Sequence, residues 1–186
     1  MRYFIGFLIV IGLIVLVFVL FATGGSKTPP KTTTSLATYA STATVTKLTI
    51  DGPVEADQTH RQVQITVGQD ESTIDIVQGY QDTVLNHASY VNNQDSYNVF
   101  LHALDLAGFS KKRSTSNTDE RGVCPLGDRY IYEIINGATD IQRTWSTSCG
   151  GEGTFGGTPS VIITLFRRQI PDYDKLTTNV DIVPQL

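Results

Sequence analysis

From Tyr3 to Ala22 the chain runs twenty residues without a charge, an Asn, a Gln or a Pro. At about 1.5 Å of rise per residue, a helix of that length covers about 30 Å, the thickness of one hydrocarbon core. Backbone N–H and C=O groups in lipid must be satisfied within the segment, so a lone span of this kind is expected to be helical. The run 3–22 is therefore read as a transmembrane helix, and the rest of the chain is placed relative to a bilayer.

A cleavable secretory signal is the main alternative, with Ala22-Thr23-Gly24 as its exit site. Its apolar region would span only about 7 to 15 residues, shorter than this one. A lipid-anchored form needs a Cys just after the run, and Cys124 and Cys149 lie far beyond it. The acidic residue expected early in a pilin-type segment is replaced by Ile11. A signal-anchor is the reading retained. Arg2 before the span and Lys27 and Lys31 after it nearly balance under the positive-inside rule. Two cysteines in a small domain favour an oxidising exterior, so the amino terminus is placed inside and the remainder outside the plasma (cytoplasmic) membrane.

Residues 23–44 are rich in Thr and Ser, with Gly24-Gly25 and Pro29-Pro30, and hold few large apolar side chains. Such a segment buries too little to offset the entropy of ordering, so it is expected to be a flexible stalk. Residues 45–183 are then one extracytoplasmic domain of ordinary size. Without Arg2, the fourteen basic residues become thirteen against eighteen acidic ones, a formal charge of −5. Nucleic acid is a disfavoured partner for that balance, even with the short clusters Lys111-Lys112-Arg113 and Arg167-Arg168.

Alternating patterns predict strands at 45–50, 60–67 and 74–76, and a further strand at 80–86. From Ser96 the period changes: Val99, Phe100, Ala103, Leu104 and Ala107 recur at three and four, with Asp95 as the start and Gly108 as the stop of a helix. Residues 110–118 read as a polar, basic loop. Thr158-Pro159 opens a second helix carrying Val161, Ile162, Leu165 and Phe166, ended by Pro171, with a strand as the alternative that their β-branched content would also suit, and a short helical turn follows. The expected fold is α+β, a small mostly antiparallel sheet with one or two packed helices, preceded by the transmembrane helix.

Asn136-Gly137 between two alternating runs is a strong hairpin signal. With those two residues as the turn, facing positions sum to 273, which places Tyr130, Tyr132, Ile134, Ile141 and Trp145 on one face. Cys124 and Cys149 also sum to 273, at a non-hydrogen-bonded position where Cα atoms lie about 4.5 to 5.5 Å apart. A Cys124–Cys149 disulfide stapling the hairpin base is therefore expected, although Pro125 and Gly127 interrupt the ladder beyond Asp128.

No pattern of reaction chemistry stands out. Residues 151–156 spell G-x-G-x-x-G, but they follow a hairpin strand rather than a parallel unit, and Glu152 would repel phosphate, so a flexible loop is expected. His60, His87 and His102 lack partners at zinc-ligand spacing. Asp70/Glu71, Asp119/Glu120 and Asp172/Asp174 sit in turn-like polar segments. No catalytic residue, cofactor or metal ligand is assigned; an acid–base pair drawn from distant strands would leave no spacing to read.

The plan of a short span, a Thr/Ser stalk and a small domain with one disulfide resembles that of uncharacterised surface-anchored bacterial proteins. The resemblance is one of layout and implies neither an activity nor site residues. The function expected is a non-catalytic binding or accessory role at the cell surface, with a surface protein or polymer as partner. The alternative is a membrane-tethered hydrolase of wall or surface polymer.

Overall fold

The computed structural model describes residues 35–40, 43–151, 153–178 and 180. All belong to the second of two units, whose boundary falls at Thr33 and Thr34. The predicted span 3–22, most of the expected stalk and the last residues of the expected domain lie outside the described residues. Among the described residues no helix is long and apolar enough to cross a membrane.

The fold is α+β, built on a six-stranded antiparallel sheet. Strands β1 (Thr44–Asp51), β2 (Arg61–Val67), β3 (Glu71–Gln78) and β4 (Thr83–Val91) form a meander. Helix α1 (Gln94–Ala107) then carries the chain back, so that β5 (Arg129–Asn136) pairs with β1 and β6 (Thr139–Thr147) becomes the far edge. The spatial order is β4-β3-β2-β1-β5-β6. Helices α2 (Pro159–Arg167) and α3 (Tyr173–Thr177) follow.

Period-two alternation explains which face the helices cover. Leu48, Ile50, Val63, Ile65, Ile74, Tyr132 and Ile134 share one side of the register and are buried. They meet Tyr97, Phe100, Leu101 and Leu104 of α1 and Ile162, Ile163 and Phe166 of α2 in one core. Each such burial is worth about 1.5 to 3 kcal/mol. Tyr132 stacks on Phe155 with ring centroids 4.1 Å apart, and Phe166 sits edge-on to Phe100 at 5.1 Å. Helix α1 starts two residues earlier than the pattern suggests. Asn93, not Asp95, caps it through the Ser96 amide, and Gly108 ends it in the left-handed conformation.

Three expectations are corrected. The end of the supposed stalk is folded: Leu36–Tyr39 forms a 3-10 turn with Leu36 buried. Ser35 Oγ and the Leu36 amide both donate to Asp105 of α1, at 2.7 and 2.8 Å. One large apolar side chain and a carboxylate seventy residues away suffice to order a segment whose composition reads as linker. The fourth strand begins three residues later than predicted and runs to Val91, with a bulge opposite Ile76 and Val77.

The third correction is the hairpin register. Asn136 faces Thr139, so the turn is Gly137-Ala138, with Gly137 at φ +59 in the first central position, as a type II′ turn requires. A bulge then leaves Ile141 unpaired, and from Ile134 outward facing residues sum to 276, as Ile131 and Trp145 do. Trp145 therefore lies with Ile131 on the face opposite Tyr130 and Tyr132. That second face is buried too, because the loop 111–128 covers it: Trp145 is 1% exposed and Ile131 8%.

Candidate functional site

The shifted register decides how the cysteines meet. An unbroken ladder would put Gly127, not Cys124, across from Cys149. Instead the chain doubles back through a turn in which the Gly127 amide donates to the Cys124 carbonyl, and Cys124 takes φ +52. The two cysteines form a disulfide with Cα atoms 5.8 Å apart. A Cβ at Gly127 would come within 2.7 Å of Cys124 Sγ and 2.5 Å of Ser148 Oγ, so only glycine fits under the bridge. Cys124 is buried while Cys149 is exposed.

The bridge pins the loop over the β5–β6 face, where polar contacts continue the hold. Trp145 Nε1 donates to the Thr118 carbonyl, and the Val54 amide to the Pro125 carbonyl. Arg143 lies between Glu120 and Glu133, donating to Glu120 Oε2 at 3.0 Å and lying 3.2 Å from Glu133 Oε1. Its hydrogen bonds hold the Glu120 carboxyl below the usual carboxylate range, whereas burial pushes Glu133 up. Asp119 belongs to the same stretch, drawn down to about 2 by its hydrogen bonds with Arg121.

The densest convergence of titratable groups lies at one end of β1. Asp51, the last residue of β1, receives Arg129 Nε on Oδ2 at 2.8 Å, and Arg129 Nη2 donates to the Gly52 carbonyl at 2.6 Å. His60, just before β2, places Nδ1 2.9 Å from the Pro53 carbonyl and Nε2 2.9 Å from Asp51 Oδ1. The second contact has ion-pair distance but lacks hydrogen-bond alignment, which leaves Oδ1 without a directional partner. Gln62 Nε2 is 3.4 Å from the same ring nitrogen. Because Nδ1 donates to a carbonyl, Nε2 either accepts from Gln62 or donates toward Asp51.

Aspartate, histidine and arginine in contact resemble the ingredients of proton transfer, but their placement is closed. The His60 side chain is 0% exposed, and Tyr80 stacks on it with ring centroids 4.2 Å apart. Tyr80 is itself fixed, its amide donating to Asp57 and its hydroxyl to the Glu55 carbonyl. The cluster ties together the β1–β2 loop, the β3–β4 turn and the start of β5.

A second acidic group lies nearby at the start of β5. Burial raises the Asp128 carboxyl, and Tyr130 Oη donates to it at 3.3 Å. Burial also raises Tyr130 and Tyr173, and the Tyr173 hydroxyl is buried without a hydrogen-bond partner.

The other motifs take structural places. Within the glycine-rich segment, residues 153–156 form a fitted strap rather than a loose loop. Gly153 takes φ +117 where a Cβ would strike the Trp145 carbonyl oxygen, and Phe155 enters the core. Arg113 Nε donates to the Gly153 carbonyl, and Arg167 stacks over Tyr173 at 4.5 Å. His87 contacts Asp75 on the sheet, His102 is exposed on α1, and neither approaches the His60 cluster through any direct bond. Among the described residues no group of three or more His, Cys, Asp or Glu is arranged to hold a metal ion. Asp51, His60 and Arg129 come from three segments up to 78 residues apart, which is why spacing along the chain carries no trace of their meeting.

No protein-family model matches the chain, and no curated protein matches it.

Proposed function

We propose that the chain is a membrane-anchored extracytoplasmic domain with a non-catalytic binding or accessory role at the cell surface, held to the bilayer through residues 3–22. The observation that carries this reading is the closure of the Asp51–His60–Arg129 cluster under Tyr80. The groups best suited to acid–base work are committed to one another and to backbone carbonyls, away from any substrate. Supporting it are the apolar run and the disulfide, which together fit a domain standing in an oxidising compartment. An open groove between α1 and α2, lined by Val99, Phe100, Ala103 and Leu165, offers apolar contact without titratable machinery beyond Asp95.

The alternative hydrolase reading has one observation in its favour, the Asp128 carboxyl raised by burial beside Tyr130, since an acid with a lifted pKa is a general-acid ingredient. Full-length protein mixed with isolated envelope polymer separates the two. Retention on the polymer with no soluble fragments released is the expected result. Release of fragments that Asp128→Asn abolishes would replace the binding reading with the hydrolytic one.

A further inference from the structure

The two edges of the sheet are treated differently. At β6 the middle of the edge is closed by the strap: the Phe155 amide donates to the Trp145 carbonyl, and Thr154 Oγ1 accepts from the Trp145 amide. At β4 no strand pairs on the outer side among the described residues. The usual guards of an open edge are a lysine, a proline, a bulge or a covering segment, and the one bulge of β4 lies at Leu85, outside the stretch 87–91. Thr83–Val91 contains neither Lys nor Pro, and its titratable side chains are His87 and Tyr90.

Which groups face outward follows from one bond. The Asn92 amide donates to the Asp70 carbonyl, so by two-residue alternation Tyr90, Ala88 and Asn86 bond inward to β3. The N–H and C=O groups of His87, Ser89 and Val91 then point away from the sheet. All three residues are exposed, Val91 to 97%.

We propose that β4 pairs antiparallel with β4 of a second copy of this chain, about a two-fold axis at Ser89. That register is the one that engages all three outward residues: Ser89 faces Ser89 of the other copy, and His87 faces Val91. It exchanges six backbone hydrogen bonds by the ladder rule and joins two six-stranded sheets into one. The charges agree with it. Across the junction the row reads Glu71, Val91, His87, Asp75, since Glu71 neighbours Val91 and Asp75 neighbours His87 on β3. Two strands without a carboxylate thus separate Glu71 from Asp75, and His87 keeps its Asp75 contact at 2.6 Å. The central row is Thr73, Ser89, Ser89, Thr73, with no like charges opposed. On the helix-covered side, Ala88 of one copy faces Tyr90 of the other. The inference concerns self-pairing and does not depend on the membrane reading.

The test uses the full chain in detergent micelles. With Ser89→Cys, oxidation followed by a non-reducing gel is expected to give covalent dimer about tenfold faster than with Asn86→Cys, because Cα atoms at the axis lie within disulfide span. In this register the two positions 86 are about 20 Å apart. Ser89→Pro removes an outward N–H that β3 does not use, so the sheet is retained while pairing is lost. Val91→Lys tests the same contact without changing the backbone. In sedimentation, the unsubstituted chain is expected to run as a dimer and both of these variants as monomers with unchanged circular dichroism. A monomeric unsubstituted chain, equal cross-linking at 86 and 89, or a dimer that survives Val91→Lys would each overturn the proposal. The last outcome would mean that another surface is used.

Discussion

Trp145 Nε1 donates to the carbonyl oxygen of Thr118 at 3.2 Å, and this bond holds the disulfide-closed loop over the chain's single tryptophan. The indole is enclosed on the sheet face that the helices leave uncovered, and its burial depends on a loop closed by a bridge of which one cysteine, Cys149, is exposed. Reduction by a small thiol under native conditions is therefore expected to shift tryptophan emission to the red and raise its quenching by iodide. Loss of the bridge should lower stability by about 3.5 kcal/mol in the chain-entropy treatment of a loop of this size. An unchanged emission spectrum after complete reduction would mean that the polar contacts alone hold the loop.

His60→Ala removes a stacked ring and the imidazole nitrogen 2.9 Å from Asp51 Oδ1, an oxygen that is buried without a hydrogen-bond partner. A loss of about 2 to 4 kcal/mol in urea denaturation is expected. Tyr80→Ala should cost less alone, and the two should be non-additive, because the ring it covers is the shared partner. Additive losses would contradict the stacked arrangement.

Carboxylates on either side of β5 respond to pH in opposite senses. Burial raises Asp128, so its contribution to stability is present below its unfolded value of about 3.9 and is lost as pH rises through its folded value. Asp128→Asn is thus expected to be more stable than the parent at neutral pH, with the gap closing below about pH 4. Arg143 depresses Glu120, whose contribution is present above about 4.3 and is lost as pH falls through its folded value. Glu120→Gln should be less stable at neutral pH and should converge with the parent on acidification. Thermal melts across this range check both signs, and reversed gaps would contradict both placements.

The existence of the central elements was legible because they rest on local pattern. Val63, Ile65 and Val67 alternate, and the Val99 to Ala107 repeat carries its own stop at Gly108. The hairpin of β5 and β6 shows the limit. Alternation and an Asn-Gly pair announce two strands, but the turn sits one residue later and Ile141 bulges, a register in which Trp145 lies under the loop 111–128. Each change is small, and together they move Trp145 to the other face. The bond between Cys124 and Cys149 was expected from a register that the hairpin does not adopt; a back-turn at 124–127 brings the two together instead. The Asp51–His60–Arg129 cluster was not legible, because its members meet only once β1, β2 and β5 lie side by side.

Gly153 is the position where a single methyl group should do most damage outside the core. Its φ of +117 and the Trp145 carbonyl oxygen leave no room for a Cβ. Gly153→Ala is expected to cost more than about 2 kcal/mol and to free the β6 edge, giving concentration-dependent aggregation. A variant as stable and monodisperse as the parent would show that the strap is not fixed there.

The placement of the folded domain outside the membrane is tested most directly by protease added to intact cells. Leu36 and Ser35 are bound to α1, so cleavage is expected on the amino-terminal side of Ser35, releasing an intact fragment that begins near that residue. In non-reducing mass analysis, alkylation before reduction should leave Cys124 and Cys149 unmodified in that fragment. A domain protected until the cells are lysed, or one with both thiols freely alkylated, would contradict the extracytoplasmic placement.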